Sequence, residues 1–431
     1  MTQISGGSVT GALRLARQAS YMPLLATALA LMMVRLLVAA RLLDVGAFAT
    51  YSAALLISGS FCMLGCLGLQ TMLQRDMPAL FFKRRSRKAM TLLAQAGLVA
   101  AACAAAGVAL AFALPSGTAG SVLDRPTIVV GILHGFSNQL FVLVTVESRS
   151  RGLTMLFSRQ YIVRSITVLA LGAGTIAVTD SGSAGAAAEA AANLLASAAV
   201  LRGSLRRASI TFVALVHVGA RHFRLVRWRA AFSLLAVMMV MWLVQNADRW
   251  VAERSLDVAG FACYAFASNA ILVASAAQMM MNAALFPKLA RKYAASGEGP
   301  AFRSAAGISA ALAAAGLVAT LAAWACWDLA VSRWYPQYAA STAIAPLLIA
   351  VGVLRVSDYW SSFLVIVGAE TKLLRATALA AIGAAGTWWI LGGHPHTASL
   401  VTVAWLSLSL ASATYLAGMA MAWKESKRCE A

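Results

Sequence analysis

The chain has 431 residues, 61% of them hydrophobic and only 12% charged. Soluble domains carry roughly 25% charged residues, so a protein folded around ordinary soluble cores is excluded. The net charge of +20 invites a nucleic-acid partner, but the charges are gathered into short loops between apolar blocks, and no nucleic-acid partner is expected.

The apolar blocks are about 18–25 residues long, the length a helix needs to cross a bilayer. In hydrocarbon every backbone polar group must be paired within the segment, so each block is predicted to be a helix. The first two are 20–40 and 47–73, joined by a very short outer loop, 41–46. The first is not a signal peptide: it is long, holds Arg35 and is followed by many more spans. Next come 90–114, 126–147, 160–179 and 184–202, the last two divided only by the Gly/Ser/Asp stretch 180–185. A basic linker, 203–229, interleaves Phe212, Leu215, Val216, Phe223, Leu225 and Trp228 with arginines. It reads either as an amphipathic helix on the inner leaflet or as a cytoplasmic loop running into span seven. The second half continues with 230–252, 259–286, 304–327, 341–367, 375–392 and 398–423, and ends in a short basic tail. The expected organisation is an N-terminal six-helix lobe (1–202), the linker (203–229) and a C-terminal six-helix lobe (230–431).

Lys and Arg alternate with the spans. One cluster is Arg75, Lys83, Arg84, Arg85, Arg87 and Lys88, and another runs from Arg202 to Arg229. Smaller ones are Arg149, Arg151 and Arg159, then Lys288, Arg291 and Lys292, then Lys372 and Arg375, then Lys424, Lys427 and Arg428. The loops between them hold only Arg41, Arg125, Arg254 and Arg333. This is the positive-inside pattern, and it predicts cytoplasmic basic loops and cytoplasmic termini. Cys62, Cys66, Cys103, Cys263 and Cys326 fall in apolar spans with neither metal nor disulfide spacing, and act as small hydrophobes.

The loop after span one is repeated after span seven. Residues 41–54 read RLLDVGAFATYSAA and residues 254–267 read RSLDVAGFACYAFA, at a constant offset of 213. The identities include Arg41/Arg254, Asp44/Asp257, Phe48/Phe261 and Tyr51/Tyr264, which are not the background residues of an Ala- and Leu-rich chain. Six spans restore the same side of the membrane, so the halves are parallel repeats about an axis along the membrane normal. The predicted fold is an all-α integral membrane protein of about twelve transmembrane helices, in two parallel-repeat six-helix bundles with a central cleft suited to alternating access.

Two stretches also resemble a family. VRLLVAARLLDVGAFATYSAALLISGSFCMLGCLGLQTMLQRDMP is similar to the start of the O-antigen and exopolysaccharide flippases of the multidrug/oligosaccharidyl-lipid/polysaccharide superfamily. There the first helix ends in an Ala-Arg-Leu-Leu turn and a Phe-x-x-Tyr enters the second. VQNADRWVAERSLDVAGFACYAFASNAILVASAAQMMMNAALFPKLAR resembles the matching second-half segment, with its Asp-Arg, Gly-x-x-x-Tyr and closing Pro. The resemblance implies an undecaprenyl-pyrophosphate-linked oligosaccharide as cargo, moved from the cytoplasmic to the periplasmic leaflet of a bacterial inner membrane. Membrane lipids, a polysaccharide polymerase and glycosyltransferases would be its partners. No enzymatic activity and no cofactor is expected, apart from H⁺ or Na⁺ coupling, which is left open.

Such a cargo needs cationic partners in a wet passage. Arg at a helix centre costs about 2.5–3.5 kcal/mol on insertion scales, so it is expected to face a cavity or a partner, and its planar fork suits phosphate. Arg355 stands first, about 20 Å from either end of span ten at 1.5 Å per residue; the competing reading is a pair with Asp358, three residues on along the same helix face. Arg249 beside Asp248 and Arg35 near the outer end of span one are the further pyrophosphate contacts, against an ion pair and snorkelling respectively. Arg164 is expected to be a snorkelling anchor. Gln245, Asn246 and Asn269 are candidates for sugar hydroxyls, or for holding helices together. Asp248, Asp358 and Glu189 are candidates for ion coupling, with Glu189 also readable as a solvated helix end. His134 and Asn138 share a helix face, which suits a helix–helix hydrogen bond better than a proton relay. Trp334, Tyr335, Trp388 and Trp389 read as interface anchors, and His394 and His396 as loop residues without a role.

Two other function classes fit less well. A membrane polymerase or glycosyltransferase needs a sizeable catalytic loop, and the longest outer loop here is about 13 residues, 328–340. A multidrug cation exporter of the same fold would favour acidic groups at depth, where this chain has more Arg than Asp or Glu.

Overall fold

The computed structural model describes residues 21–113, 122–390 and 398–427; His394 and His396 lie outside them. Among the described residues every regular element is helical. Among these described residues twelve segments are long and apolar enough to cross a membrane, the number the apolar blocks predict.

The chain divides into two compact units. Unit 1 takes the described residues of 1–42, 53–117 and 123–236. It holds α1 (Tyr21–Leu42), most of α2 (Val45–Leu64), α3 (Leu69–Phe82), α4 (Ser86–Ala113), α5 (Arg125–Ser150), α6 (Thr154–Thr179), α7 (Gly182–Ala208), α8 (Phe212–Arg221) and the first turns of α9 (Trp228–Ser255). α1 packs on α6, and α5 and α6 both pack on α7. Between α5 and α2 the approach is very close. A Cβ on Gly131 would lie 2.9 Å from the Ala54 carbonyl oxygen, and one on Gly135 2.8 Å from that of Ser58. Lipid tails supply no hydrophobic drive between helices, so small residues that bring backbones together do this work instead.

Span two does not run straight from 47 to 73 as predicted. α2 stops at Leu64, the chain turns through Leu67 (φ 47°) and Gly68 (φ 83°), and α3 starts at Leu69. Gly68 is required there twice over: its φ is left-handed, and a Cβ would fall 2.0 Å from the carbonyl oxygen of Ala231 in α9. The turn lets Leu69, Met72, Leu73 and Met77 of α3 join a core with Met90, Leu93, Leu143 and Leu215. The 180–185 stretch separates two helices as expected. α6 ends at Thr179, Asp180 is left-handed (φ 49°), and the Ser181 hydroxyl caps α7 by accepting from the Ala184 N–H at 3.3 Å. The linker carries a helix: α8 buries Leu215 and Gly219 against α4 and leaves Phe212 and Val213 exposed.

Unit 2 takes the described residues of 43–52, 118–122 and 237–431. It contains α10 (Val258–Ala267), α11 (Asn269–Ser296), α12 (Glu298–Trp334), a 3₁₀ segment (Pro336–Ala343), α13 (Ala345–Ser357), α14 (Trp360–Ile366), α15 (Glu370–Ile390) and α16 (Leu400–Lys427). α13 packs on α11, α12 and α16. Span eight is divided at Ser268 between α10 and α11, and span ten at Asp358–Tyr359 between α13 and α14.

The repeated loops carry the same local chemistry. Asp44 Oδ1 accepts from the Ala47 N–H at 2.6 Å, and Asp257 Oδ1 from the Gly260 N–H at 2.8 Å. Each carboxylate caps the helix that follows it, satisfying one of the N–H groups the first turn leaves open. The paired aromatics behind the caps, Phe48/Phe261 and Tyr51/Tyr264, are all buried. The repeat thus preserves a sharp turn and the helix start that follows it.

Candidate functional site

Unit 1 buries two polar rungs, one helical turn apart. In the first, Arg35 of α1 donates to Glu189 Oε2 of α7 at 2.7 Å, with side chains 9% and 0% exposed. His134 Nε2 of α5 lies 3.2 Å from the same oxygen, and its Nδ1 lies 2.7 Å from Ser58 Oγ of α2. An ionised carboxylate accepts only, so Nε2 donates to Glu189, while Nδ1 faces the Ser58 hydroxyl. In the second rung, Arg164 of α6 donates to Asn193 Oδ1 and to Asn138 Oδ1, both at 2.6 Å. Its guanidinium sits 4.7 Å from the Phe141 ring centroid, and Asn138 Nδ2 reaches Cys62 Sγ at 3.3 Å. Residues 58/62, 134/138 and 189/193 are each four apart, so α2, α5 and α7 each contribute one side chain to both rungs.

Three expectations change here. Glu189 is a fully buried partner of Arg35 and His134, and not a solvated helix end. It fits because α6 has a glycine opposite: a Cβ on Gly172 would stand 2.7 Å from Glu189 Cγ. Arg164 is buried and hydrogen-bonded inside the unit, and not a snorkelling anchor. Arg35 is buried in an ion pair rather than snorkelling to the interface, so an anion reaching it would have to displace a carboxylate. His134 makes the helix–helix hydrogen bonds expected of it.

Unit 2 places a second polar group around α9 and α13. Asp248 is buried. Its Oδ2 accepts from the Tyr264 hydroxyl at 2.6 Å, while its Oδ1 has no hydrogen-bond partner among the described residues. Arg249 reaches the Ser268 carbonyl at 3.4 Å, where α10 gives way to α11. Arg355, in the last turn of α13, donates to the Gln245 carbonyl at 3.0 Å and lies within electrostatic reach of Asp248 and Arg249.

The predicted pair of Arg355 with Asp358 does not form. α13 ends at Ser357, so the two are no longer one turn apart on a continuous helix, and the Asp358 side chain turns to Ser361 in the first turn of α14 instead. Its carboxylate accepts from the Ser361 N–H at 3.2 Å and the Ser361 hydroxyl at 2.6 Å. Arg355 therefore stands near a helix break, and not in the middle of an unbroken span. Together with Gln245, Gln278, Asp358, Thr377 and Tyr415 it lines a cavity of about 150 Å³, space for a few waters.

The remaining candidates fall outside this group. Asn246 bonds back to the Trp242 carbonyl of its own helix at 3.1 Å, and Asn269 opens α11. Asn193, Ser58, Gln278 and Thr377 were not anticipated. Only Asn193 had a visible signal, its four-residue spacing from Glu189. The 213-residue offset of the repeat also relates Arg35 to Asp248, so the two halves bury opposite charges at equivalent positions.

By sequence the chain matches no protein-family model and none of the curated proteins. Solved structures do match it. The MATE transporter VcmN of Vibrio cholerae, a point mutant, aligns with TM-score 0.62 and 16% identity over 97% of this chain and 96% of that one. The lipid II flippase MurJ, in an inward closed conformation, aligns with TM-score 0.63 and 12% identity over 94% and 87%. An inward-facing multidrug resistance MATE transporter of the MOP superfamily gives 0.55 and 15% over 92% and 95%. The fold is that of the MATE and MurJ transporters. Twelve apolar helices in this fold make the chain a multi-pass membrane protein.

Proposed function

We propose that the chain is a flippase that moves an undecaprenyl-pyrophosphate-linked oligosaccharide from the cytoplasmic to the periplasmic leaflet of a bacterial inner membrane by alternating access. The observation that carries this reading is Arg355, held in the wall of a polar cavity beside a helix break. Irregular backbone within a span-length apolar segment is tolerated where it lines a cavity or is buried in protein, and broken helices of this kind form substrate sites in transporters. The guanidinium there offers a donor fork to a pyrophosphate. Arg249, and Arg35 in exchange for its carboxylate, would serve the same anion, and Gln245 the sugar hydroxyls. Asp248, Asp358 and Glu189 are the groups through which H⁺ or Na⁺ would couple. The basic loops and both termini face the cytoplasm in this reading, and the polymerase and glycosyltransferases of surface-polysaccharide assembly are its partners.

A second reading, a multidrug cation exporter, is favoured by one feature: the unmatched Oδ1 of buried Asp248 would suit a cation. Deleting the gene separates the two. Lipid-linked oligosaccharide should accumulate in the inner leaflet without any change in resistance to cationic drugs. Within the flippase reading, Arg355→Ala should abolish surface-polysaccharide export at normal protein level, and Arg355→Lys should restore it only in part. Normal export by Arg355→Ala would remove that residue from the site.

A further inference from the structure

The end of α7 and the turn that follows it form a feature separate from both polar groups. Ser209 is left-handed (φ 53°) and folds the chain from α7 into α8. The result is a groove of about 570 Å³ lined by Ala198, Leu201, Leu205 and Phe212, with Arg202 and Arg206 along it. The three α7 wall residues recur at helical spacing, and the two arginines stand one turn apart on the same helix.

Most of the charge at this place has no carboxylate partner among the described residues. No Asp or Glu occurs between Glu189 and Asp248, whereas 202–229 holds seven arginines. One of them, Arg207, is matched: it donates to the buried Glu147 at 2.6 Å, and Glu147 also takes Arg151. Arg202 and Arg206 are exposed and form no ion pair with a described residue. Beside them Phe212 is 56% and Val213 76% exposed. A ligand that satisfies this surface needs an anionic head for two guanidinium groups and an apolar body for the wall. A free anion leaves the wall wet, and a nucleic acid has no acyl chain to lay on it.

We propose that this groove is a binding site for an anionic phospholipid, with the phosphate between Arg202 and Arg206 and the acyl chain along Leu201, Leu205 and Phe212. Bound there, the lipid ties the linker helix α8 to the membrane surface. The site belongs to the linker and is independent of the cargo proposed above.

Native mass spectrometry of the full chain in detergent, titrated with dioctanoyl-phosphatidylglycerol, tests this. Each basic residue at an anionic surface is worth about a factor of five in affinity, so Arg202→Gln/Arg206→Gln should weaken retention roughly 30-fold. Both side chains are exposed, and the variant should elute as wild type from size exclusion. Dioctanoyl-phosphatidylcholine should bind poorly, and inorganic phosphate should not displace the lipid. Arg227→Gln/Arg229→Gln removes equal charge from outside the groove and should lose much less. An equal loss in that control, equal binding of the zwitterionic lipid, or displacement by phosphate would each overturn the site. If the Gln pair misfolds, Arg202→Lys/Arg206→Lys keeps the charge and should retain phosphatidylglycerol over phosphatidylcholine; a folded Lys variant without that preference also overturns the site.

Discussion

Glu189→Met removes the carboxylate that holds Arg35 and receives His134, in a place where all three side chains are buried. The guanidinium then loses the carboxylate that stands 2.7 Å from it. Breaking a buried pair from one side costs about 3–5 kcal/mol, whereas replacing both partners by apolar residues of similar volume is often neutral or stabilising. Arg35→Met alone should cost a similar amount because the buried carboxylate loses its guanidinium, and Arg35→Met/Glu189→Met should recover most of the loss. At about 2–4 °C per kcal/mol for a unit of this size, each single variant should melt roughly 6–20 °C below wild type. The assay is the apparent Tm in detergent, read by fluorescence-detected size exclusion. Single variants as mild as ordinary surface substitutions, within about 0.5 kcal/mol, or losses that simply add in the double variant, would refute the ion-pair argument. The same double variant decides what Arg35 is for. On the proposed flippase function, polysaccharide export survives in it if the pair is structural, and is lost although stability returns if Arg35 meets the cargo.

Gly68→Ala should lower the Tm and the yield of folded protein, because the methyl group would sit 2.0 Å from the Ala231 carbonyl at a φ of 83°; Gly97→Ala, in open space on α4, is the matched control and should be silent. Asp44→Ala and Asp257→Ala should each cost about 1 kcal/mol through loss of a helix cap, and Asn at either position should restore most of it. Equal thermal shifts for the Ala and Asn variants would show that the capping bonds at 2.6 and 2.8 Å carry no stability.

Much was legible without coordinates. The twelve spans follow from block length, since a bilayer demands a continuous apolar helix of fixed reach. The repeated Arg-x-Leu-Asp turn announced two related halves, and its Asp does in both places what Asp before a helix does locally. The break between α6 and α7 was visible in 180–185 for the same reason: capping and left-handed turns are decided within a few residues.

What could not be read was anything that depends on a partner far along the chain. Glu189 looked like a solvated end because its nearest neighbours are alanines; its partner Arg35 is 154 positions away. Asp358 looked like the partner of Arg355 because helical spacing puts them on one face, until the helix stops at Ser357 and the carboxylate turns to Ser361. Gly68 is an ordinary glycine in the sequence and an obligatory one beside Ala231. By itself, then, the sequence determined that the chain crosses a membrane many times, where it does so and that its halves are related, because hydropathy and capping act over a few turns of one helix. Tertiary structure alone decided which buried charges are neutralised and which line a cavity, because an ion pair in a low-dielectric interior is set by which helices touch.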